Sequence, residues 1–263
     1  MNWFEALVLG LIQGLTEFLP VSSSGHLELG KYLFGIDHEA NFYFSITVHG
    51  ATVLSTLLVF WPDIQNLVKG FFRFRYNDET RYTLKLVISM IPVGIAGFFL
   101  SDIAEKYFTG NMVSLGIQFL ISALFLFVAL LIKPKERPIG YIDSFIIGIA
   151  QALAVLPAIS RSGATIATGM MIGNKKSDLA KFSFLMVLVP IIGANMAEMK
   201  SGNISTEGTS FFAILIGFLT AFLSGYLACK WMVSIVKKGN LVWFALYCVL
   251  VGIFSIMLGL HVS

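Results

Sequence analysis

Stretches free of Asp, Glu, Lys and Arg run over residues 40–62, 86–100, 107–132, 182–197, 208–229 and 239–263. Most match the roughly 17–25 residues that a helix needs to cross bilayer hydrocarbon. They predict six transmembrane helices, a number that a soluble chain would not carry. Two further apolar segments, 1–39 and 139–174, are interrupted near their middles. The first break reads QGLTEFLPVSSSGH over residues 13–26, and the second QALAVLPAISRSGA over residues 151–164.

Composition agrees with a membrane solvent. Charged residues make up 13% of the 263 positions and mean hydropathy is +0.83, against about 25% charge in a soluble domain. The net charge of +3 says little about partners; where the charges sit says more. Lys69, Arg73, Arg75, Arg81 and Lys85 follow the first span, Lys133, Lys135 and Arg137 the third, and Lys230, Lys237 and Lys238 the fifth. Lys175, Lys176 and Lys181 precede the fourth. The positive-inside rule makes all of these cytoplasmic and leaves Lys31, Lys106 and Lys200 outside. Both termini then lie outside. Residues 1–39 must enter and leave on the outer side and residues 139–174 on the inner side, as re-entrant hairpins. Such backbone is tolerated at depth only where protein or a wet cavity satisfies it. Residues 61–82 mix aromatic and basic side chains and read as an amphipathic piece on the inner surface. No basic residue precedes Lys31, so the start does not resemble a cleaved signal peptide. Cys229 and Cys248 lie in apolar helices without metal or redox spacing and read as small core residues. His38 and His261 read as loop and terminus, and Glu198 and Lys200 as interfacial.

The two breaks are copies. An offset of 138 residues pairs Gln13 with Gln151, Leu15 with Leu153, Ser22 with Ser160, Ser24 with Ser162 and Gly25 with Gly163. Gly10 and Gly148, Gly35 and Gly173, Phe44 and Phe182, and Ser45 and Ser183 keep the same offset. With the hairpins on opposite faces and three spans after each, the chain reads as an all-α integral membrane protein with an inverted-topology repeat. It has six transmembrane helices plus two re-entrant helical hairpins in one membrane domain, 1–263. Repeat one covers 1–132 with its hairpin at 1–39, and repeat two covers 139–263 with its hairpin at 139–174. In such folds a site forms near the midplane where discontinuous helices meet.

Local rules shape that meeting point. Pro20 and Pro157 end the first half-helices. Ser22, Ser23 and Ser24, and Ser160 and Ser162, are suited to cap the second ones. Each restarted helix presents unpaired N–H groups and a positive dipole end, which together favour an anion such as phosphate. Gln13 and Glu17 share a helix face, and Ser23 and His26 lie on the next half-helix. Arg161 sits inside the second break. Charged side chains at this depth are costly and read as functional by default. Plainer roles stand beside that reading. Glu17 and Arg161 could be a structural ion pair, His26 a hydrogen-bonded core histidine, and Ser22 and Ser24 caps alone. His49 reads either as facing the same cavity or as making an interhelical hydrogen bond. No role follows for Glu28.

The pair QGLTEFLPVSSSGH (13–26) and LPAISRSGAT (156–165) resembles the two signature motifs of the undecaprenyl pyrophosphate phosphatases, also called bacitracin resistance proteins. The likeness extends over essentially the whole chain. It implies a bacterial plasma-membrane enzyme that hydrolyses the C55 isoprenyl diphosphate to the monophosphate and so recycles the lipid carrier for peptidoglycan. Its fold would have inverted repeats and re-entrant helices, and its site would open toward the periplasmic side. It also implies a divalent cation, Mg²⁺ or Ca²⁺. The family's motif carboxylate falls on Glu17, its serine and histidine on Ser23 and His26, and its arginine on Arg161. Gln13 stands where some members have glutamate, which removes one metal ligand and leaves Glu17 as the principal one. Ala158 stands where many have glycine, which stiffens the turn.

The expected division of labour follows. Arg161 binds phosphate oxygens as a fork, and Glu17 with Gln13 holds the cation, since hard cations take oxygen ligands. Ser22, Ser24, Gly25, Ser160, Ser162, Gly163 and Thr165 line the substrate. Either Ser23 attacks with His26 as its base, or His26 activates water or is itself phosphorylated while Ser23 only binds. The partners expected are a polyprenyl diphosphate, the bilayer and, as a candidate assembly, a homodimer; no nucleic acid is expected. The competing class is a transporter or flippase of the carrier lipid or a small anion, because broken helices in inverted repeats are also a transporter signature. The type 2 phosphatidic acid phosphatase pattern is excluded, since no histidine follows Arg161 before His261.

Overall fold

A computed structural model describes residues 1–36, 42–108, 110–132, 135–200, 210–238 and 240–262, without the side chains of 42, 100–108, 197–200 and 262. His38 and Lys133 lie outside the described residues, as do the side chains of Lys106, Glu198 and Lys200. The described chain is helical: Trp3–Phe18 (α1), Ser23–Phe34 (α2), Phe42–Val59 (α3), Trp61–Phe71 (α4), Asp78–Phe108 (α5), Met112–Leu131 (α6), Tyr141–Leu153 (α7), Arg161–Met171 (α8), Lys176–Lys200 (α9), Phe211–Lys238 (α10) and Val242–Val262 (α11).

Segments of α5, α6, α9, α10 and α11 are long and apolar enough to cross a membrane. The span expected over 40–62 is less simple. α3 ends at Val59, and it meets the same length test only together with α4, from which it bends by 73°. Pro62 stands in the first turn of α4, where its missing N–H is one that a helix start leaves unpaired anyway. α4 is amphipathic as expected: Ile64 and Leu67 face the core, while Trp61, Val68 and Phe71 are exposed.

The outer surface explains the composition. Phe98, Leu124, Leu131, Leu227, Leu250 and Met257 are between 61% and 83% exposed. Water-soluble monomers do not leave apolar bands on this scale uncovered, and hydrocarbon covers them at no cost. The interior combines large apolar side chains such as Phe44, Phe119 and Phe182 with small polar ones. Ser55, Ser89, Ser122, Ser144, Ser224 and Ser255 are buried among alanines and glycines, which lets helices approach closely. This is a multi-pass α-helical membrane protein.

The halves pack crosswise. α1 lies along α10 and α7 along α5, so the first helix of each hairpin rests on the second long helix of the other half. α6 pairs with α11, α3 with α10, and α9 with α5. The starts of α1 and α7 are fixed alike. Asn2 Oδ1 accepts the Glu5 N–H at 2.9 Å and Glu5 Oε2 accepts the Asn2 N–H at 2.8 Å. At the same offset, Asp143 Oδ2 accepts the Gly140 N–H at 2.8 Å. Arg137 holds the other Asp143 oxygen at 2.7 Å. Lys31 is buried and donates to Ser45 Oγ at 2.8 Å. Glu28 acquires a role as well: its Oε1 accepts the Gly110 N–H at 2.5 Å, tying α2 to the turn before α6.

Candidate active site

α1 stops where Leu19, extended ahead of Pro20, leaves the helix. α2 begins on Ser22, whose hydroxyl accepts the Gly25 N–H at 3.3 Å. α8 begins on Ser160, whose hydroxyl accepts the Gly163 N–H at 3.1 Å. Of the serines that could cap, the two used are therefore repeat-related. They differ in backbone: Ser22 has φ 68° and Ser160 φ −69°. A left-handed serine is strained by about 1–3 kcal/mol, and such strain persists where surroundings over-determine it. Here the Ser22 carbonyl receives both His26 N–H, at 3.3 Å, and His26 Nδ1, at 2.7 Å.

The caps change one expectation. The N–H groups of Gly25 and Gly163, counted as ligand donors, are satisfied internally. Those of Ser23, Ser24, Arg161 and Ser162 remain without intrahelical partners.

The hairpins are stitched to each other at equivalent points. Ser24 Oγ donates to the Pro157 carbonyl, and Ser162 Oγ donates to the Leu19 carbonyl at 3.1 Å. Gly25 and Gly163 permit this approach. A Cβ on Gly25 would come within 2.8 Å of Phe119 Cζ and 3.1 Å of Ala158 Cβ; one on Gly163 would meet Ser160 Oγ at 3.0 Å and Pro20 Cβ at 3.4 Å. Ala158 is fully buried against this contact, and its N–H donates to Gln118 Oε1 at 2.9 Å.

Glu17, on the last turn of α1, is the hub. Its Oε1 receives Arg161 Nη2 at 2.9 Å. Its Oε2 receives Ser23 Oγ at 2.5 Å and Gln13 Nε2 at 2.9 Å. His49 Nε2 stands 4.0 Å from Oε2, while its Nδ1 meets the Ser45 carbonyl at 2.8 Å. His49 thus stands beside the carboxylate, while its hydrogen bond stays within its own helix. Glu17 is nearly enclosed, so a carboxylate there depends on these donors; an unpaired buried charge costs several kcal/mol.

Two hollows meet at this hub. One, of about 210 Å³ including its open mouth, is lined by Thr16, Glu17, Ser22, Ser23, Ser24 and Arg161 among others. The second, of about 440 Å³ including its open mouth, is shared by polar Glu17, Thr52, Gln151, Arg161 and Thr165 and by an apolar arm containing Val53, Val187 and Leu188. Glu17, Arg161 and Ser162 border both. The first hollow has the chemistry of a phosphate site; the second joins a polar floor to a greasy wall.

Most of the residues singled out from sequence converge here: Gln13, Glu17, Ser22, Ser23, Ser24, Arg161, Ser160, Ser162 and Thr165. Thr165 serves through its hydroxyl, which donates to the Arg161 carbonyl at 2.8 Å and lies 2.6 Å from Ser183 Oγ. His26 stands apart. It lines neither hollow, and its Nε2 meets Tyr247 Oη at 2.8 Å in a stack with that ring and edge-on to Phe119. Thr52, Thr56 and Ser183 had not been anticipated as lining. The available signal was spacing: His49, Thr52 and Thr56 follow at three and four residues, which puts them on one face of α3.

No group of three or more His, Cys, Asp or Glu among the described residues could by itself hold a metal. The donor set still fits a hard cation. Gln13 Oε1 is buried without a partner beside the Glu17 carboxylate, and Mg²⁺ is commonly held by one or two protein oxygens, with substrate phosphates and water completing its shell.

Paired broken helices around a buried carboxylate, serine and arginine define a multi-pass α-helical membrane protein with a polar site enclosed between its helices. The comparisons are more particular. The family described as bacitracin resistance protein BacA matches residues 6–254, and this chain belongs to it. Among relatives, an undecaprenyl-diphosphatase of Bacteroides fragilis is 50% identical over 261 residues, 98% of each chain. One from Bacteroides thetaiotaomicron is 51% identical over 257 residues, 96% of this chain and 97% of its own. A third, from Carboxydothermus hydrogenoformans, is 38% identical over 264 residues, 98% of each chain.

Proposed function

We propose that this protein hydrolyses undecaprenyl diphosphate to undecaprenyl phosphate and inorganic phosphate in the bacterial plasma membrane, and so supports bacitracin resistance. The name its relatives carry supports the substrate. The observation that carries the chemistry is the continuous chain Ser23–Glu17–Arg161 at the junction of two half-helices. The distribution of Lys and Arg supports a site that opens outward, with both termini outside.

Phosphoryl transfer rests on positioning and charge stabilisation. Arg161 is placed to take phosphate oxygens, helped by the open N–H groups at the starts of α2 and α8. Ser23 Oγ attacks the terminal phosphorus while its proton passes to Glu17 Oε2. The bond from that phosphorus to the bridging oxygen breaks, and the lipid phosphate leaves with the electron pair and takes the proton from Glu17. Water then attacks the phosphoserine, giving a proton through Glu17 back to Ser23 Oγ as inorganic phosphate departs. Glu17 rather than His26 is the base in this scheme because Ser23 is hydrogen-bonded to it. His26, held between Ser22 and Tyr247, acts as a positioning residue for the start of α2. A divalent cation, Mg²⁺ or Ca²⁺, would be held by Glu17 and Gln13, and would neutralise diphosphate charge.

The test is phosphate release from the lipid diphosphate by purified protein in detergent, with no gradient. Terminally labelled substrate, quenched in turnover, should leave label on Ser23. Label on His26 would overturn the assignment of the nucleophile. Binding without any phosphate release would support a carrier of the lipid instead.

A further inference from the structure

Gln151 is 1% exposed, yet neither its amide nitrogen nor its amide oxygen meets a hydrogen-bond partner among the described residues. Buried amides are almost always paired, because desolvation without compensation is costly. Its repeat counterpart Gln13 meets Glu17 four residues on. Gln151 has Val155 at that position, so its own helix offers nothing. Gln151 lines the larger hollow, along with Glu17 and Arg161, with its amide buried in the wall. Every other polar side chain lining that hollow is engaged: Thr52 with the His49 carbonyl, Thr56 with the Thr52 carbonyl, Ser162 with the Leu19 carbonyl, and Thr165 with Ser183. Gln151 alone among them has both of its side-chain polar atoms buried and unpaired.

We infer that Gln151 binds the lipid-proximal phosphate of the substrate, through its amide N–H groups. The inference rests on the diphosphatase reading. With the terminal phosphate at Ser23 in the serine-lined hollow, the rest of the headgroup extends past Glu17 and Arg161 into the larger one. Its apolar arm, with Val53, Phe184, Val187, Leu188 and Ile191, suits the first isoprene units. The inner phosphate then falls at the border between polar floor and apolar wall. A neutral donor is fitted to that border, since it binds a phosphate oxygen without bringing a second charge into an enclosed place.

Gln151→Leu separates this role from a structural one. In detergent without substrate, the variant should melt at or above the wild-type temperature, because it removes an unpaired buried amide. Its KM for the lipid diphosphate should rise about 10- to 100-fold, the size of one hydrogen bond to a charged group, while kcat stays within about threefold. The rise in melting temperature that substrate gives the wild type should shrink correspondingly. Gln151→Met is read in the same way should the leucine variant not fold. An unchanged KM with an unchanged substrate-induced shift would overturn the inference, as would a variant that melts lower without substrate and keeps its KM. If the wild type releases no phosphate, the diphosphatase reading fails. The contact itself is then judged by the substrate-induced shift, present in wild type and lost in Gln151→Leu if the contact exists.

Discussion

Ser24 and Ser162, 138 residues apart, each donate a hydroxyl hydrogen to the break of the opposite hairpin, Ser24 to the Pro157 carbonyl and Ser162 to the Leu19 carbonyl. The two acceptors are separated by the same 138 residues as the two donors. The stitches hold the starts of α2 and α8 against each other, and Ser23 and Arg161 lie on those starts.

Removing the Ser24 hydroxyl leaves the Pro157 carbonyl without its partner, whereas the Leu19 carbonyl keeps the Val21 N–H at 2.8 Å when the Ser162 hydroxyl is lost. Ser24→Ala should lower stability by about 1–3 kcal/mol and Ser162→Ala by about 0.5–1.5 kcal/mol. Thermal melts in detergent measure this. The double variant should lose about the sum, or more if the second stitch compensates for the first. Melting temperatures unchanged in both single variants would show that the stitches contribute nothing.

Gly25 is required by space. A Cβ 2.8 Å from Phe119 Cζ cannot be accommodated cheaply, because Phe119 is itself fully buried. Gly25→Ala should cost about 1–3 kcal/mol from overpacking. Shortening the obstacle in Gly25→Ala/Phe119→Leu should recover part of the lost melting temperature, and absence of any recovery would point away from the clash.

Arg161 is paired with Glu17, and the proposed function gives it a second task toward phosphate. Arg161→Ala should lose stability by about 3–5 kcal/mol, since it strands a buried carboxylate, as well as activity. Arg161→Lys keeps the charge but loses the planar fork. It should retain most of the stability while kcat/KM falls about 100-fold, or roughly 2.7 kcal/mol of transition-state stabilisation. Wild-type kcat/KM in Arg161→Lys would reduce Arg161 to a structural counter-ion.

Ser23 and Glu17 share one short hydrogen bond, and their losses should not add. Ser23→Ala and Glu17→Gln should each lower kcat by about 10²–10⁴-fold, and the double variant should be little worse than the poorer single one. His26→Ala, by contrast, should act through the start of α2. Its loss of activity should track its loss of melting temperature, and Tyr247→Phe should be far milder than Ser23→Ala. A folded His26→Ala protein as inactive as Ser23→Ala would restore the imidazole to the chemistry.

Chelation should abolish turnover, and Mg²⁺ or Ca²⁺ should restore it. Gln13→Glu, which supplies a second carboxylate oxygen to a hard cation, should lower the cation concentration needed for half-maximal activity. A requirement unchanged by that substitution would remove Gln13 from the ligand set.

The sequence alone determined a great deal here. Apolar runs of bilayer length follow from the solvent, so the spans of α5, α6, α9, α10 and α11 were legible, although helices such as α5 and α10 run past the charge-free stretches into charged residues. Leu-Pro followed by serines is a local instruction, so both hairpin breaks were legible as well. The offset copy singled out Glu17, Ser23, His26 and Arg161 by what one break has and the other lacks. Sequence periodicity did not reveal the bend after Val59, because a charge-free run hides a helix break as easily as it shows a span.

What only the tertiary structure decided is which of those groups touch. Ser23 and His26 are three residues apart, and helical spacing placed them together. The left-handed backbone at Ser22 and the ring of Tyr247, 221 residues away, turn the imidazole elsewhere and give the serine to Glu17. His49 reaches Glu17 from α3, and Gln151 borders the hollow from α7, by packing between helices that no local pattern encodes. A chain writes its breaks and caps into neighbouring residues, whereas a site made where two breaks meet depends on distances that exist only once both halves have packed.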